Sequence, residues 1–401
     1  MKNRGIDAGG STVRVARTEN QIMTIPAACA EIPYDAPSKE HILSNDKDKD
    51  FVIKTCGMPE ISGRRFVRGV AVNQYHGRPM VCDNTSIKVK QDITYINILY
   101  GLALDCLQSG TNDERFRIAA CIPAAEYYDD ENDRVHELKN KLQGSTEIYF
   151  PMLDESIRFD LDVDNILVAA EGVVAARKYR TNRDFVKKNV AIVDCGYRST
   201  DITILLNFSP VGASAASRPI GGINLEANVL AHLERDNILI DDGAVQSALS
   251  NTYLLRNNTL LDITEYLDGN RGDLEGVAML LAEDDISVTV EEIKNAMRKY
   301  YITNKGAVVD ITEYVTKAKE VFAEQVYKSI VSVVNSKMMY MSDLSGVLCV
   351  GRPFNGDTED ENNLVNILNR KFTEGIIMYT VPDSGTANVV ELITAIGPDT
   401  E

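Results

Sequence analysis

Near its N-terminus the chain reads GIDAGGSTVRV over residues 5–15, and residues 191–203 repeat the plan as AIVDCGYRSTDIT. Each stretch contains an apolar strand, an Asp-x-Gly turn, a run with hydroxyl residues and a second β-rich strand. A glycine in a tight turn lets the backbone approach a ligand and turn its N–H groups outward. Exposed N–H groups of this kind form a concave anion site suited to phosphate. One such turn is common, but two at matched positions predict hairpins that clamp a nucleoside triphosphate from both sides.

The acidic residue of each turn, Asp7 or Asp194, stands at the end of its first strand. An aspartate in this place can hold Mg²⁺, usually through the waters of the metal. The sequence contains no G-x-x-x-x-G-K-[ST] P-loop, so phosphate binding depends on the two turns. The paired turns therefore predict a Mg²⁺-nucleotide site.

The composition is that of a globular protein: 401 residues, 44% hydrophobic and 25% charged, which is enough for two or more domains. A formal net charge of −17 argues against a broad direct nucleic-acid surface but leaves binding through a basic adaptor open. The seven cysteines form no C-x-x-C pair and favour free thiols in a reducing cytosol. No apolar stretch reaches about 18 residues and no leader-like segment precedes the first strand. The sequence thus predicts a cytoplasmic protein without membrane contact.

The order of patterns along the chain predicts a duplicated α/β architecture, with two domains around a nucleotide cleft and an insertion in each. Domain I is expected over 1–182, with an inserted subdomain at about 26–90. Domain II is expected over 183–386, with an insertion at about 225–308 whose acidic, mostly helical part begins near 236. Residues 387–401 are expected to return to domain I as a helix.

Helical periodicity and turn signals predict the individual elements. A long helix is expected from Asp310 to Ser336, with Asp310 and Glu313 as a capping-box-like start. Small and apolar residues predict another helix over Asn165–Tyr179. The other predicted elements are the helices Gln91–Ser109, Asp130–Leu142, Asn362–Phe372 and Ala387–Ile396 and the strands Phe116–Ile122, Thr146–Phe150, Ser156–Val163 and Gly346–Val350.

Several motifs keep the order and spacing of a known family. The run Ile118–Pro123 precedes Tyr127–Asp129 and a helix, and Val168–Gly172 comes before the turn at Asp194–Asp201. A glycine turn after a late strand and a C-terminal helix complete the set. In these features the chain resembles the ParM-like bacterial actins of plasmid segregation, within the actin, chaperone and sugar-kinase ATPase superfamily. The resemblance covers the nucleotide core of both halves and implies an actin-like ATPase fold.

The resemblance implies a role for each matching residue. Asp7 and Asp194 would stand near Mg²⁺, through water, and would act in catalysis with Glu171, which would orient the attacking water. Arg14 falls where many relatives carry a phosphate-binding Lys, and it offers a planar fork in place of a point charge. The β- and γ-phosphates would be cradled by Gly9, Gly10, Ser11 and Thr12 of the first turn and by Gly196, Tyr197, Arg198 and Ser199 of the second.

The resemblance also implies that glycines of the second half contact the nucleoside. Gly221 and Gly222 would approach the ribose and base, and Gly351 would approach adenine. After Gly351 the family usually continues with glycine, whereas this chain has Arg352 and then Pro353. The expected substrate is therefore ATP or GTP, with relaxed base choice.

The function implied by the resemblance is a nucleotide-dependent, filament-forming ATPase that moves plasmid DNA. Its expected partners are copies of itself and a ParR-like DNA-binding adaptor that carries centromere-like plasmid DNA, with no direct nucleic-acid contact. Two alternatives stay open. One is a small-molecule kinase of the same fold, in which a carboxylate at Glu171 would serve equally well. The other is a scaffold filament that binds nucleotide without hydrolysing it.

Overall fold

The computed structural model of the chain divides into two compact units, Met1–Arg177 with Asn388–Glu401 and Lys178–Ala387. Each unit carries its own main sheet and its own hydrophobic core. None of the described helices combines the length and apolar character that spanning a membrane requires. Part of the insertion predicted at 26–90 lies outside the described residues. The structure describes residues 1–35, 50–69, 72, 79–83, 87–209, 215–240, 242–268, 270–337, 339–372, 375–381, 383–397 and 399.

Ten of the described strands belong to the first unit and nine to the second. Those of the first unit are β1 (Lys2–Ala8), β2 (Thr12–Thr18), β3 (Gln21–Pro26), β4 (Cys29–Ile32), β5 (Phe51–Thr55), β6 (Arg64–Arg68), β7 (Pro79–Met80), β8 (Glu114–Ile122), β9 (Gly144–Phe150) and β10 (Glu155–Ala170). Those of the second unit are β11 (Val190–Cys195), β12 (Thr200–Leu205), β13 (Ala215–Arg218), β14 (Tyr253–Arg256), β15 (Thr259–Asp262), β16 (Tyr301–Asn304), β17 (Ala307–Asp310), β18 (Gly346–Val350) and β19 (Ile377–Thr380).

The described α-helices lie between these strands and after the last of them. They are α1 (Asp92–Ser109), α2 (Ala124–Tyr127), α3 (Arg134–Leu142), α4 (Val173–Ala176), α5 (Gly222–Arg235), α6 (Asp242–Ser250), α7 (Thr264–Leu267), α8 (Leu274–Glu283), α9 (Val290–Arg298), α10 (Thr312–Ser336), α11 (Leu364–Asn369) and α12 (Ala387–Ile396).

The two main sheets share one core topology. In the first unit the strand order is β3-β2-β1-β8-β10, and in the second it is β13-β12-β11-β18-β19. In each sheet the central strand pairs antiparallel with the next strand of the chain and parallel with the strand on its other side. The outer pairs agree as well, because β2–β3 and β12–β13 are antiparallel whereas β8–β10 and β18–β19 are parallel. The predicted duplicated α/β fold is confirmed.

The first sheet continues beyond its core through β9, β5, β6, β4 and β7. The last four of these strands come from the segment at 26–90, which therefore extends the main sheet. Helix α12 packs so closely on β1 that its main chain lies next to Gly5. A Cβ added to Gly5 would lie 2.8 Å from both Val389 O and Ile393 N, so only glycine fits beneath this helix.

Helix α1 is the element predicted over Gln91–Ser109, and it begins one residue later. Its side chains are buried around nearly the whole circumference, as expected for a helix that is apolar on all faces. It ends at Gly110, which takes the left-handed conformation at φ 62° and donates its N–H to the carbonyls of Cys106 and Leu107. Helix α12 and strand β18 have the predicted bounds.

The helix predicted over Asn165–Tyr179 is wrong in its first half. Strand β10 runs on to Ala170, and only Val173–Ala176 is α-helical, followed by a 3-10 turn at Arg177–Thr181. The reason is a period of two, because Ile166, Val168 and Ala170 are buried while the side chains between them are not. Small residues are compatible with a helix, but hydrogen bonding to β8 stabilises a strand at this position.

The capping box predicted at Asp310 is also wrong. The N-cap of α10 is Ile311, and Asp310 instead accepts a hydrogen bond from the main-chain N–H of Thr312 at 2.9 Å through its Oδ1. Asp262 makes the same contact with Thr264 at the start of α7, also at 2.9 Å.

These matching contacts belong to a tandem repeat in the second unit. The sequence DITEY occurs at 262–266 and again at 310–314, an offset of 310 − 262 = 48 residues. In both copies a helix precedes a two-stranded hairpin, and DITEY joins the hairpin to the next helix. The threonine hydroxyl of each copy accepts a hydrogen bond from the main-chain N–H of the residue just before the hairpin, at 2.8 Å for Thr252 N and 3.0 Å for Tyr300 N. The insertion is thus a duplicated module, which the sequence analysis missed.

The two copies exchange contacts with each other. Helix α6 of the first copy packs on β16 of the second, and α9 of the second packs on β14 of the first. The tyrosine hydroxyl of each DITEY motif donates to an aspartate that precedes the first helix of the other copy. Tyr266 donates to Asp284 at 2.6 Å, and Tyr314 donates to Asp236 at 2.9 Å. Since 284 − 236 is again 48, the exchange is reciprocal, as in a pseudo-two-fold arrangement.

Candidate functional site

The first Asp-x-Gly hairpin consists of β1 and β2. Asp7 and Arg14 face each other across these strands, each about 7% exposed, with Arg14 Nη1 3.6 Å from Asp7 Oδ2. Among the described residues the Nε of Arg14 has no hydrogen-bond partner. A buried guanidinium N–H without a partner is costly, and an anionic ligand would satisfy it. The arrangement therefore suits a phosphate beside Asp7.

The turn between these strands holds the four residues predicted to cradle phosphate. A Cβ added to Gly9 would lie 2.8 Å from Thr12 O, so the turn closes too tightly for a side chain there. Ser11 O accepts the main-chain N–H of Ala27 at 2.9 Å, which fixes the turn to the segment after β3. All four residues, including Gly10, are partly exposed and open to a ligand.

Glu171 lies in the same unit, directly after the end of β10. It stands in a turn and not within a helix, and its main-chain N–H donates to Ile122 O at 2.8 Å. Cys121 Sγ lies 3.6 Å from Asp7 Oδ1 and 3.9 Å from Glu171 Oε1. Three adjacent parallel strands, β1, β8 and β10, thus bring Asp7, Cys121 and Glu171 together. The Cys121 sulfur and one carboxylate oxygen of each acidic residue lie within 4.8 Å of one another.

The electrostatics of this group include a lysine that the sequence analysis did not single out. Lys88 Nζ forms an ion pair with Glu171 Oε1, and both side chains are largely buried. Burial raises the pKa of Glu171, and the Lys88 ammonium opposes this rise. Burial would lower the pKa of Lys88, but the nearby Glu171 carboxylate raises that pKa well above its ordinary value. The site therefore holds two carboxylates and two cations, Lys88 and Arg14.

The second hairpin, β11 with β12, differs at one decisive position. Asp194 faces Asp201, where the first hairpin has an arginine opposite its aspartate. The two residues are 8% and 6% exposed, respectively. Like charges directly opposite each other are unfavourable, and a hard divalent cation prefers oxygen ligands of this kind. The donor set of this hairpin therefore fits Mg²⁺.

The second turn is held by the start of α5. Gly196 N–H donates to Ser199 O at 2.8 Å and closes the turn, while Arg198 lies partly buried within it. The N–H groups of Gly222 and Ile223 donate to the carbonyls of Gly196 and Tyr197 at 3.0 and 2.8 Å. The first N–H groups of α5 thus stabilise the turn itself.

Gly221 lies against the same turn, because a Cβ added to it would lie 2.5 Å from Tyr197 O. The ring of Tyr197 lies beside Gly222, whose added Cβ would be 3.3 Å from Tyr197 Cδ2. Its hydroxyl donates to Glu226 of α5 at 2.9 Å and accepts from Gln246 of α6 at 3.1 Å. This tyrosine connects the turn to the duplicated module.

Gly351 follows β18 and lies against the end of β11. It has φ 105°, and a Cβ added to it would lie 2.0 Å from Cys195 O. Arg352 Nη2 lies 4.0 Å from Asp268 Oδ2, and the arginine side chain is 29% exposed. The structure therefore brings Gly196–Ser199, Gly221–Gly222 and Gly351 together around the end of β11.

The sequence matches no family model and no curated protein. Solved structures, in contrast, match it over nearly its whole length. The archaeal actin homologue Ta0583 has a TM-score of 0.63 at 14% identity, with 98% of each chain covered. ParM of Bacillus thuringiensis, solved with ATP, has a TM-score of 0.62 at 13% identity and covers 98% of this chain and 97% of its own. The actin-like protein Alp7A has a TM-score of 0.64 at 13% identity, with 97% and 94% covered. The chain has the actin-like fold.

Proposed function

We propose that this chain is a nucleotide-dependent actin-like ATPase that assembles into filaments. The observation that carries the proposal is the pair of Asp-x-Gly hairpins, each placed on the central strand of a sheet with the same strand order. Both hairpins present a buried carboxylate beside a tight turn whose glycines are exposed or partly exposed. ParM of Bacillus thuringiensis has been solved with ATP, AMPPNP and ADP, which supports the same ligand class here.

Each turn has its own part in binding. The first turn, 9–12, would receive phosphate oxygens next to Arg14, whose fork neutralises them. The second turn, 196–199, would hold further phosphate oxygens near Asp194. Mg²⁺, held near Asp7 and Asp194 through water, would supply charge neutralisation at the phosphates.

Hydrolysis is accelerated by a side chain that orients the attacking water, and we propose Glu171 for this role. Its Oε1 is occupied by Lys88, and no protein donor among the described residues reaches Oε2. That oxygen can accept a proton from a water beside the γ-phosphate. The products are nucleoside diphosphate and phosphate.

We further propose that nucleotide state controls assembly. A ligand shifts a conformational equilibrium only if it binds one state better, so the triphosphate would favour assembly by binding the assembling state more tightly than the diphosphate does. The strongly acidic chain would act in the cytoplasm on plasmid DNA through a ParR-like basic adaptor and would not bind DNA directly.

Sedimentation tests this proposal. The chain should pellet with Mg-ATP and stay in the supernatant with Mg-ADP or with EDTA, and phosphate should be released in proportion to polymer. A small-molecule kinase would stay in the supernatant in all three conditions and would release no phosphate without a hydroxyl substrate. A scaffold filament would pellet with Mg-ATP but release no phosphate.

A further inference from the structure

We propose that Lys88 is a positioning residue for hydrolysis, which orients the Glu171 carboxylate so that one oxygen faces the attacking water. This inference rests on the proposed ATPase function. It assigns a role to the turn that ends the 26–90 segment, on the evidence of contacts within the first unit.

The two carboxylate oxygens of Glu171 have different surroundings. Lys88 Nζ pairs with Oε1, and Cys121 Sγ lies 3.9 Å from the same atom. Within the described part of the chain no protein donor bonds Oε2. A carboxylate with both oxygens free could rotate, whereas one oxygen held by an ammonium leaves the other in a fixed direction.

Lys88 is itself held in place by three helices. Its main-chain N–H and that of Val89 donate to the two carboxylate oxygens of Glu126 in α2, at 2.6 and 3.2 Å. Its carbonyl accepts from Thr94 Oγ1 of α1 at 2.9 Å. The carbonyl of Val89 accepts from Lys141 Nζ of α3 at 3.3 Å. Each main-chain group next to the lysine thus has a fixed partner, so Lys88 can impose a direction on Glu171.

The competing interpretation is a purely structural ion pair. Buried charges are normally paired, and removing one partner alone destabilises a protein. Stability therefore cannot separate the two interpretations, but the kinetic constants can. A positioning residue changes the rate of the chemical step, whereas a structural pair changes the amount of folded protein and leaves kcat per folded chain unchanged.

The decisive experiment measures steady-state ATP hydrolysis by five test proteins and one control, corrected for the folded fraction from circular dichroism. The test proteins are wild type, Lys88→Met, Lys88→Arg, Glu171→Gln and the double variant Lys88→Met/Glu171→Gln. Lys90→Met is the matched control, because Lys90 belongs to the same turn but is exposed.

We expect Lys88→Met to lower kcat about tenfold or more with KM nearly unchanged, since binding uses other residues. Lys88→Arg keeps the cation and should recover part of the rate. The double variant should be no slower than Glu171→Gln alone, because Lys88 acts through that carboxylate. Lys90→Met should match wild type.

Several results would overturn the inference. One is a Lys88→Met enzyme with wild-type kcat while Glu171→Gln is slow, which leaves the ATPase proposal intact. If Lys88→Met does not fold, the double variant, which lacks both buried charges, takes its place, and a kcat well below that of Glu171→Gln contradicts the inference. If wild type hydrolyses no nucleotide, the proposed function fails, and the inference fails with it.

Discussion

Replacing Gly351 with alanine tests how closely β18 and β11 approach at the second turn. Gly351 has φ 105°, and its added Cβ would lie 2.0 Å from Cys195 O and 2.7 Å from Cys195 C. The residue cannot move away easily, because its N–H donates to Ser384 O and its carbonyl accepts from Ser384 Oγ, both at 2.9 Å. Gly351→Ala must therefore distort either the end of β11 or the turn itself.

Gly375 provides the matched control. It has φ 103°, nearly the same as Gly351, but no atom of the other described residues lies within 4 Å of its added Cβ. Both alanine variants lose about 1 to 3 kcal/mol from the unfavourable backbone conformation. Only Gly351→Ala adds overpacking against backbone, about 1 to 3 kcal/mol or more. The difference between the two variants therefore isolates the close approach.

Urea unfolding followed by circular dichroism measures both variants. Gly351→Ala should be less stable than Gly375→Ala by at least about 1 kcal/mol and should bind Mg-ATP more weakly, because Asp194 lies next to the displaced Cys195. Equal losses of stability in the two variants would refute the reasoning, as would normal nucleotide binding by Gly351→Ala.

Three further predictions concern single side chains. Glu171→Gln should keep nucleotide binding and slow phosphate release about a hundredfold or more, with longer-lived filaments, because the amide keeps the shape of the side chain but cannot accept a proton from the attacking water; unchanged phosphate release would refute the role. Tyr197→Phe should lower the free energy of unfolding by about 1 kcal/mol in a urea titration through loss of the hydrogen bond to Glu226, and an unchanged midpoint would show that this bond does not hold the turn. ATP and GTP should bind within roughly tenfold of each other, a gap of about 1.4 kcal/mol, because the guanidinium of Arg352 at the expected base site can lie on either purine, and a preference above about a hundredfold in parallel titrations would contradict relaxed base choice.

Local signals explain which elements could be predicted from the sequence. The two hairpins follow from the Asp-x-Gly turns, and α1 follows from its apolar periodicity and from Gly110 at its end. Strand β10 was mistaken for a helix after Asn165 because small residues suit both structures, and only its pairing with β8 decides between them. Tertiary context overrode local propensity here.

The same distinction applies to the candidate site: residues in a local motif could be predicted, and residues that meet only in the folded chain could not. Asp7 and Asp194 were recognisable because each belongs to a turn with its own sequence signature. Lys88 was not, because it lies 83 positions before Glu171 in the sequence and the two residues meet only in the folded chain, and no local pattern distinguishes it from Lys90. The tandem repeat had a clear signal, the identical DITEY motifs at 262–266 and 310–314, which a search for internal repeats would have found.

The central proposal is that both Asp-x-Gly hairpins are required for nucleotide binding. Isothermal titration with Mg-ATPγS, a slowly hydrolysed analogue, measures this directly, with wild type, Asp7→Ala and Asp194→Ala compared at a concentration below that needed for assembly. The account predicts one nucleotide per chain and weaker binding in both variants, because each loses a carboxylate that holds the hydrated metal. Two nucleotides per chain, or normal affinity in either variant, would contradict it.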